Sequence, residues 1–545
     1  MSSVPIDYAL DRRHMPGMQR ERIPDASMQD ELGADAEVYG SSLRANFMPP
    51  GMQLIAGDSP IMKSFVDATP SSLLSPMFQN LPALKPDKLK VASDEAQALR
   101  RKLLRGANVL IIQGGYSGKR FVYERLKELG VHVTIMDGPD SIWRGAAEEG
   151  LLEGFAELDF TDHATVFERA MDVIFGMEQK FDAVTTYFED AVALAARLAS
   201  ALGLEANSVL ACDQARNKRV TRQVMAACGL PVPKFKSIFT KDDIDAAADY
   251  VGFPAILKPV FGAASMGVNK VADTEMVHVA YDKIFKTLDV SADTIWAQGT
   301  EMVLEEYYDG DEFDIDILLF EGECVYAKVS DNWACWEPWF QEVGTNCPSA
   351  YPQSKQDELI KLSVDTTLAL GFKYGVFHVE CKYTSRGPRM IEVNARMGGV
   401  SVYDCNRVAW GVDLVEEHMM AVLKIPIRPV IPPTPMRFFS ETAINAPFTG
   451  TMESEDWLND LKKDPRVSFV HYFKKKGEKV IGPKDGVPDW IGEIRVITDT
   501  SVEEGCELIR AFMRDIKVPI KPTEPGTECD WFFPDHMHPF KKVLE

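Results

Sequence analysis

Three features that organise many chains are missing here. There is no C-x-x-C pair, no internal repeat, and no run near the roughly 18 apolar residues that cross a bilayer. Cysteine is sparse, with 9 in 545 residues and none before Cys212. That excludes a disulfide framework and reads as free thiols in a reducing compartment. Basic charge is also short: 59 Lys and Arg stand against 82 Asp and Glu, a formal net charge of −23. Such acidity argues against nucleic acid or an anionic membrane as the main partner, though a site can still be locally basic. Residues 1–7 lack the basic-then-apolar pattern of a signal peptide, so the expectation is a cytoplasmic protein. What remains is ordinary globular composition, 46% apolar and 26% charged, at a length suited to three or four domains.

Residues 1–105 read as an irregular arm, rich in Pro, Ser and Met, with turn signals at 48–52 and 68–72. At 108–113 the run Asn-Val-Leu-Ile-Ile-Gln predicts a buried strand, followed by a turn and a helix to Leu129. Strands at 131–136 and 183–187, each with a helical partner, predict a parallel, Rossmann-like sheet over 106–205. The turn Gly114-Gly115-Tyr116-Ser117-Gly118-Lys119 fails the phosphate-loop spacing. Gln113 stands where the first glycine belongs, and Arg120 where Ser or Thr belongs. It fails G-x-G-x-x-G as well, so it is read as a turn that binds no nucleotide, against a Rossmann oxidoreductase. Beyond it a helix is expected over 216–228, and strands at 254–259, 302–307, 313–320, 324–330, 375–382 and 388–394. After the prolines at 429–435, residues 431–545 read as a small mixed α/β lobe.

The sharpest chemical pattern is the hairpin at 375–394. Side chains alternate faces along a strand. If residue 380 lies opposite 390, then Glu380, Glu392, Asn394 and Arg396 share one face. Two converging carboxylates repel unless a hard divalent cation lies between them, and Asn394 adds a third oxygen. The alternative is a solvated polar face of an edge hairpin. His378 shares that parity and is read as a neighbour of the metal rather than a base. Lys258, near a strand end, precedes the small-residue loop 261–267, whose backbone N–H groups can wrap phosphate oxygens. A flexible hairpin with a surface lysine is the plainer reading. Glu305-Glu306-Tyr307-Tyr308-Asp309-Gly310 ends one strand and starts another, offering backbone groups at a hinge, or simply an acidic turn.

In this order, Lys218 on a helix, Lys258-Pro259, the glycine loop, Glu305-Glu306-Tyr307, Glu312, and Glu380 with Glu392-Val393-Asn394-Ala395-Arg396 resemble the ATP-grasp superfamily of carboxylate–amine ligases. The resemblance covers about residues 106–425. It implies an α/β and α+β multidomain fold. A Rossmann-like domain (106–205) would precede a two-lobed ATP-grasp domain (206–300 and 301–430) and the small C-terminal mixed domain. It implies that Lys218 and Lys258 contact the ATP α and β phosphates and that the loop with Gly262, Ser265, Met266 and Gly267 covers them. Glu306 and Tyr308 would bind adenine through backbone groups, Glu305 would lie near the adenine amine, and Glu312 would hold the ribose. Lys328 would touch the γ-phosphate, Glu380, Glu392 and Asn394 would bind Mg²⁺ (or Mn²⁺), and Arg396 would stabilise phosphoryl transfer and the acyl phosphate.

Phe340-x-Glu342-x-Gly344-x-x-x-Pro348-Ser349 and Met397-Gly398-Gly399 are similar to the members that join amino acids into dipeptides, with Glu342 and Gly399 on the substrate side. Trp333, Trp336 and Trp339 would line an amino-acid pocket or pack in the core. No biotin-carrier Met-Lys-Met is present, which disfavours a carboxylase subunit. The partners expected are a small-molecule carboxylate and an amine, with self-association left open. The rival reading is a non-catalytic nucleotide-binding protein on the same fold, or a ligase for another carboxylate.

Overall fold

The computed structural model describes residues 86–262, 265–287, 299–399 and 401–524. Most of the arm expected over 1–105 lies outside these residues, as do Ala263 and Ala264 of the glycine loop. The described end of the arm is a helix, Asp94–Leu104, capped by Ser93. It is tied to the body by buried Arg100, whose guanidinium donates to the carbonyls of Leu89 (2.6 Å) and Arg428 (3.0 Å). Among the described residues no helix is long and apolar enough to cross a membrane.

Four strands build the first sheet: β1 (Asn108–Ile112), β2 (His132–Asp137), β3 (Gly154–Glu157) and β4 (Ala183–Thr185). Their order is β3-β2-β1-β4, and every pair is parallel. Val109 to Ile112 are buried on both faces, which is why that run is apolar without alternation. The order reverses between β1 and β4. The loops that leave these two strands therefore diverge and open a crevice at their carboxyl ends.

The next sheet is antiparallel: β5 (Phe235–Ile238), β6 (Ala255–Pro259), β7 (Asn269–Val271) and β8 (Met302–Glu306), in the order β5-β8-β6-β7. The helix expected over 216–228 is Lys218–Ala227, and a separate helix, Val209–Arg216, precedes it. Asn217 breaks them, and its side chain accepts from Val220 N (3.0 Å) to cap the second. This places Lys218 at the first helical position.

The largest sheet has eight strands: β9 (Asp311–Phe320), β10 (Glu323–Asn332), β11 (Gly344–Cys347), β12 (Gly375–Thr384), β13 (Gly387–Asn394), β14 (Phe438–Asn445), β16 (Val467–Tyr472) and β18 (Trp490–Thr498). They run β13-β12-β9-β10-β11-β14-β18-β16. Three strands of the C-terminal lobe thus continue the sheet that carries the hairpin. Only β15 (Gly450–Met452), β17 (Lys479–Val480) and β19 (Ile520–Pro522) form a small sheet apart. One face of the large sheet packs Phe313, Ile315, Phe377 and Val379 against the helix Gln353–Ala369 through Leu359 and Leu362. The opposite face of β9, β12 and β13 carries the polar residues described next.

Candidate active site

Glu380 lies opposite Glu392, not opposite residue 390 as the hairpin parity assumed. A bulge shifts the register, so Cys381 faces Met390 and Ile391 is the extra residue. The reason is tertiary: Arg222, fully buried, donates to the Ile391 carbonyl (2.8 Å). The shift is by two residues, so parity survives, and His378, Glu380, Glu392 and Asn394 share one face. On the other flank β9 adds Glu312, Asp314 and Asp316, opposite Lys382, Glu380 and His378. Burial, then the neighbouring Glu392, push the Glu380 carboxyl well above the usual carboxylate range. Burial would do the same to Glu392, but Lys218, 2.7 Å away, outweighs it and holds that carboxyl low. Asn394 Nδ2 donates to Glu380 (3.1 Å), and its Oδ1 accepts from Arg396 (3.1 Å).

Among the described residues no three His, Cys, Asp or Glu side chains form a metal cluster. The opposed pair fits a hard divalent cation, because Glu380, whose charge Glu392 disfavours, would gain from one, and an amide stands beside it. His378 is held by Asp316 (2.9 Å) and lies 3.7 Å from Asp314. Burial opposes its charge, yet Asp314 and Asp316 prevail and raise the imidazole pKa to about 10. The two aspartates thus favour the protonated ring.

Cations approach this face from the small-lobe side. Lys218 also donates to the Gly262 carbonyl (2.7 Å), joining the metal-type pair to the glycine loop. Lys258 and Glu305 are both buried and paired, and Arg222 reaches the same carboxylate at 3.2 Å. Burial alone would raise Glu305, but Arg222 and Lys258 lower it. Its oxygens meet two buried cations beside the hinge. The Glu306 N–H meets the Lys234 carbonyl (2.9 Å), and its carboxylate meets Arg386 (2.5 Å). Tyr308 is buried at the hinge. Glu312 lies 3.7 Å from Lys382. At the loop, Ser265 has φ +56° and Gly267 φ +76°. A Cβ on Gly267 would stand 2.9 Å from the Pro259 ring, so this turn needs glycine on both counts. Met266 is exposed at its tip.

Lys328 lies opposite Asp316 on the strand next to β9, two strands from Glu380, and so shares the face. Its Nζ lies 3.8 Å above the Trp410 ring. Glu342 is an exposed residue, with Glu312, His378 and Arg396 near enough to act on its carboxyl. Trp333 is a core residue, 1% exposed, and Trp336 and Trp339 meet edge to face at 5.4 Å. A Cβ on Gly399 would have only ordinary contact with Tyr116, whereas one on Gly398 would stand 2.5 Å from Val402 and 2.8 Å from the His378 ring. Gly398 is thus the position where the turn tolerates no side chain.

Sequence reading missed Glu189. It follows β4, is buried, and one carboxylate holds two arginines: Arg396 Nε at 2.9 Å and Arg216 Nη1 at 3.1 Å. Asp190 takes the other Arg216 nitrogen at 2.8 Å. The only local sign was an acidic pair just beyond the carboxyl end of a parallel strand. Glu189→Gln removes the charge that both guanidiniums share. We expect about 1–3 kcal/mol of lost stability and a turnover loss of at least about 10-fold, with nucleotide affinity unchanged. Denaturant titration and steady-state phosphate release check this together. Unchanged turnover would confine Glu189 to domain packing.

Residues 251–404 match the ATP-grasp domain family, and residues 123–204 match the ATP-grasp N-terminal domain. Carnosine synthase 1 of Gallus gallus is 32% identical over 348 residues, which is 61% of this chain and 37% of that protein. Alanine–anticapsin ligase of Bacillus subtilis is 27% identical over 271 residues, 47% of this chain and 57% of its own length. The chain therefore spans well under two thirds of each relative. The crystal structure of an L-amino acid ligase from Bacillus licheniformis matches with a TM-score of 0.66 at 24% identity, over 77% of this chain and 100% of that one. The fold is shared with that structure, and residues 123–204 and 251–404 are the stretches that resemble ATP-grasp domains.

Proposed function

We propose that the protein is an ATP-dependent ligase that joins the carboxylate of one amino acid to the amine of another. The single observation that carries this is the opposed Glu380–Glu392 pair, with Lys218 on one side and the Asn394–Arg396 contact on the other. That face offers what an acyl phosphate route requires: cations for phosphate oxygens, a place for a hard cation, and a fixed guanidinium at the transferring group. In the first step a substrate carboxylate oxygen attacks the γ-phosphorus of ATP, and ADP leaves. In the second an amine attacks the acyl carbon, and phosphate leaves.

Lys218 and Lys258 would neutralise the phosphate chain, and the turn from Gly262 to Gly267 would cover it with backbone N–H groups. Tyr308 at the hinge would meet the adenine, and Glu312 the ribose. Glu380, Glu392 and Asn394 would hold Mg²⁺ or Mn²⁺, which when bound neutralises phosphate charge. Arg396 is held beside the same face by Glu189 and Asn394. Close positioning of the reactants does much of the work in such a scheme. The test is a screen of amino-acid pairs for phosphate and ADP release, with products identified by mass. The expected product mass is the sum of two amino acids less one water. Nucleotide binding with no amino-acid-dependent ADP release would leave the scaffold reading instead.

A further inference from the structure

The turn Gly114–Lys119 matches no nucleotide fingerprint, yet two buried aromatic side chains hold its backbone. Trp143 Nε1 donates to the Gly115 carbonyl at 2.8 Å, and Tyr123 Oη donates to the Gly114 carbonyl at 2.8 Å. A Cβ on Gly114 would overlap the Trp143 ring, and one on Gly118 would overlap the Tyr116 ring. The turn leaves β1 on the edge of the crevice that the strand order opens, and Glu189 leaves β4 on the other edge. Both edges face the 396–399 segment, 279 residues away from Lys119 in the chain.

Lys119 reaches furthest. It is 5% exposed, and its Nζ meets the Gly398 carbonyl at 3.4 Å. Among the described residues no carboxylate lies within ion-pair distance of it. Lys218, Lys258, Arg216, Arg222 and Arg396 all have one. Glu189 is the acid whose charge acts on Lys119, and it already faces Arg396 and Arg216. An ammonium buried this way is costly to the fold unless something supplies the counter-charge.

We propose that Lys119 binds the carboxylate that the amine substrate keeps throughout the reaction, making that substrate an amino acid rather than a simple amine. The inference rests on the ligase reading and names one subsite within it. The activated carboxylate passes its charge to the phosphoryl oxygens of the acyl phosphate and loses it when phosphate leaves, so a lysine devoted to it would have no partner in the product. Arg396 already faces that group from the metal side. A carboxylate that never reacts keeps its charge from entry to product release, and a fixed, buried ammonium suits it. Burial first, then nearby Arg396, lower the Lys119 pKa to about 7, which a bound anion would restore.

The experiment measures each of the twenty common amino acids, and its carboxamide, as amine substrate and as equilibrium ligand in the presence of ADP and Mg²⁺. Wild type should prefer the acid over the amide about 10- to 100-fold in KM and in Kd, the range expected of one charge-assisted bond at a buried site. Lys119→Met should erase that preference while leaving the KM for ATP and for the amide unchanged. Lys119→Arg should keep part of it. Melting temperature should hold or rise in Lys119→Met, since an unpaired buried charge is removed. The proposal is overturned if Lys119→Met keeps the preference, weakens acid and amide alike, or loses stability. If Lys119→Met does not fold, Lys119→Arg and Lys119→Gln decide, the first retaining the preference and the second losing it. Should wild type release no phosphate with any pair, the ligase reading falls, while the acid–amide difference in Kd still tests Lys119.

Discussion

Glu392→Gln is expected to lower amino-acid-dependent phosphate release by about 10²- to 10³-fold and to leave the fold intact. Two electrostatic contributions oppose each other in the folded state. The variant gives up the 2.7 Å pair with Lys218, which costs stability. It also removes the charge that faces Glu380 across the ladder, which returns some. Lys218 keeps the Gly262 carbonyl as an acceptor at 2.7 Å, so it is not left unpartnered. The net stability change is small, and a loss of turnover is not a loss of structure. A neutral amide is a far poorer ligand for a hard cation than a carboxylate. Near-normal phosphate release at saturating Mg²⁺, with unchanged melting temperature, would remove the metal assignment from this pair.

Arg396→Lys separates binding from chemistry. The arginine is held at three nitrogens: Nε by Glu189 at 2.9 Å, Nη2 by Asn394 at 3.1 Å and Nη1 by the Met397 carbonyl at 3.2 Å. A lysine is a single point charge and cannot satisfy these directions while also presenting two parallel donors to a carboxylate or phosphoryl group. We expect ATP affinity to stay near wild type, because Lys258 and the hinge are untouched. Turnover should fall by about 10²-fold or more, the size of a lost transition-state donor. Nucleotide titration and phosphate release on one preparation read both quantities. Equal losses in affinity and turnover would make Arg396 a ground-state ligand of the nucleotide. No change in either would make it structural, and the acyl-phosphate role would pass to another cation.

The amino-acid sequence alone determined the features that depend on near neighbours. Alternation put Glu380, Glu392 and Asn394 on one face, and this held although the assumed register was off by two, because a shift of two keeps parity. The unbroken apolar run before Gly114 marked a strand buried on both sides, and the strand–helix alternation marked a parallel sheet. Tertiary structure decided which charges meet. Glu305 looked like one acid of an exposed hinge, yet packing turned it inward to Lys258 and Arg222, the latter 83 residues away. Lys328 had the right charge on the right face, and strand order set it opposite Asp316, two strands from Glu380, with its ammonium over Trp410. Glu189 and Lys119 carried no recognisable spacing, because their partners lie on another domain. Periodicity is written into residues a few positions apart. The choice of one counter-ion among 82 acidic side chains is made only when distant segments pack and water leaves between them.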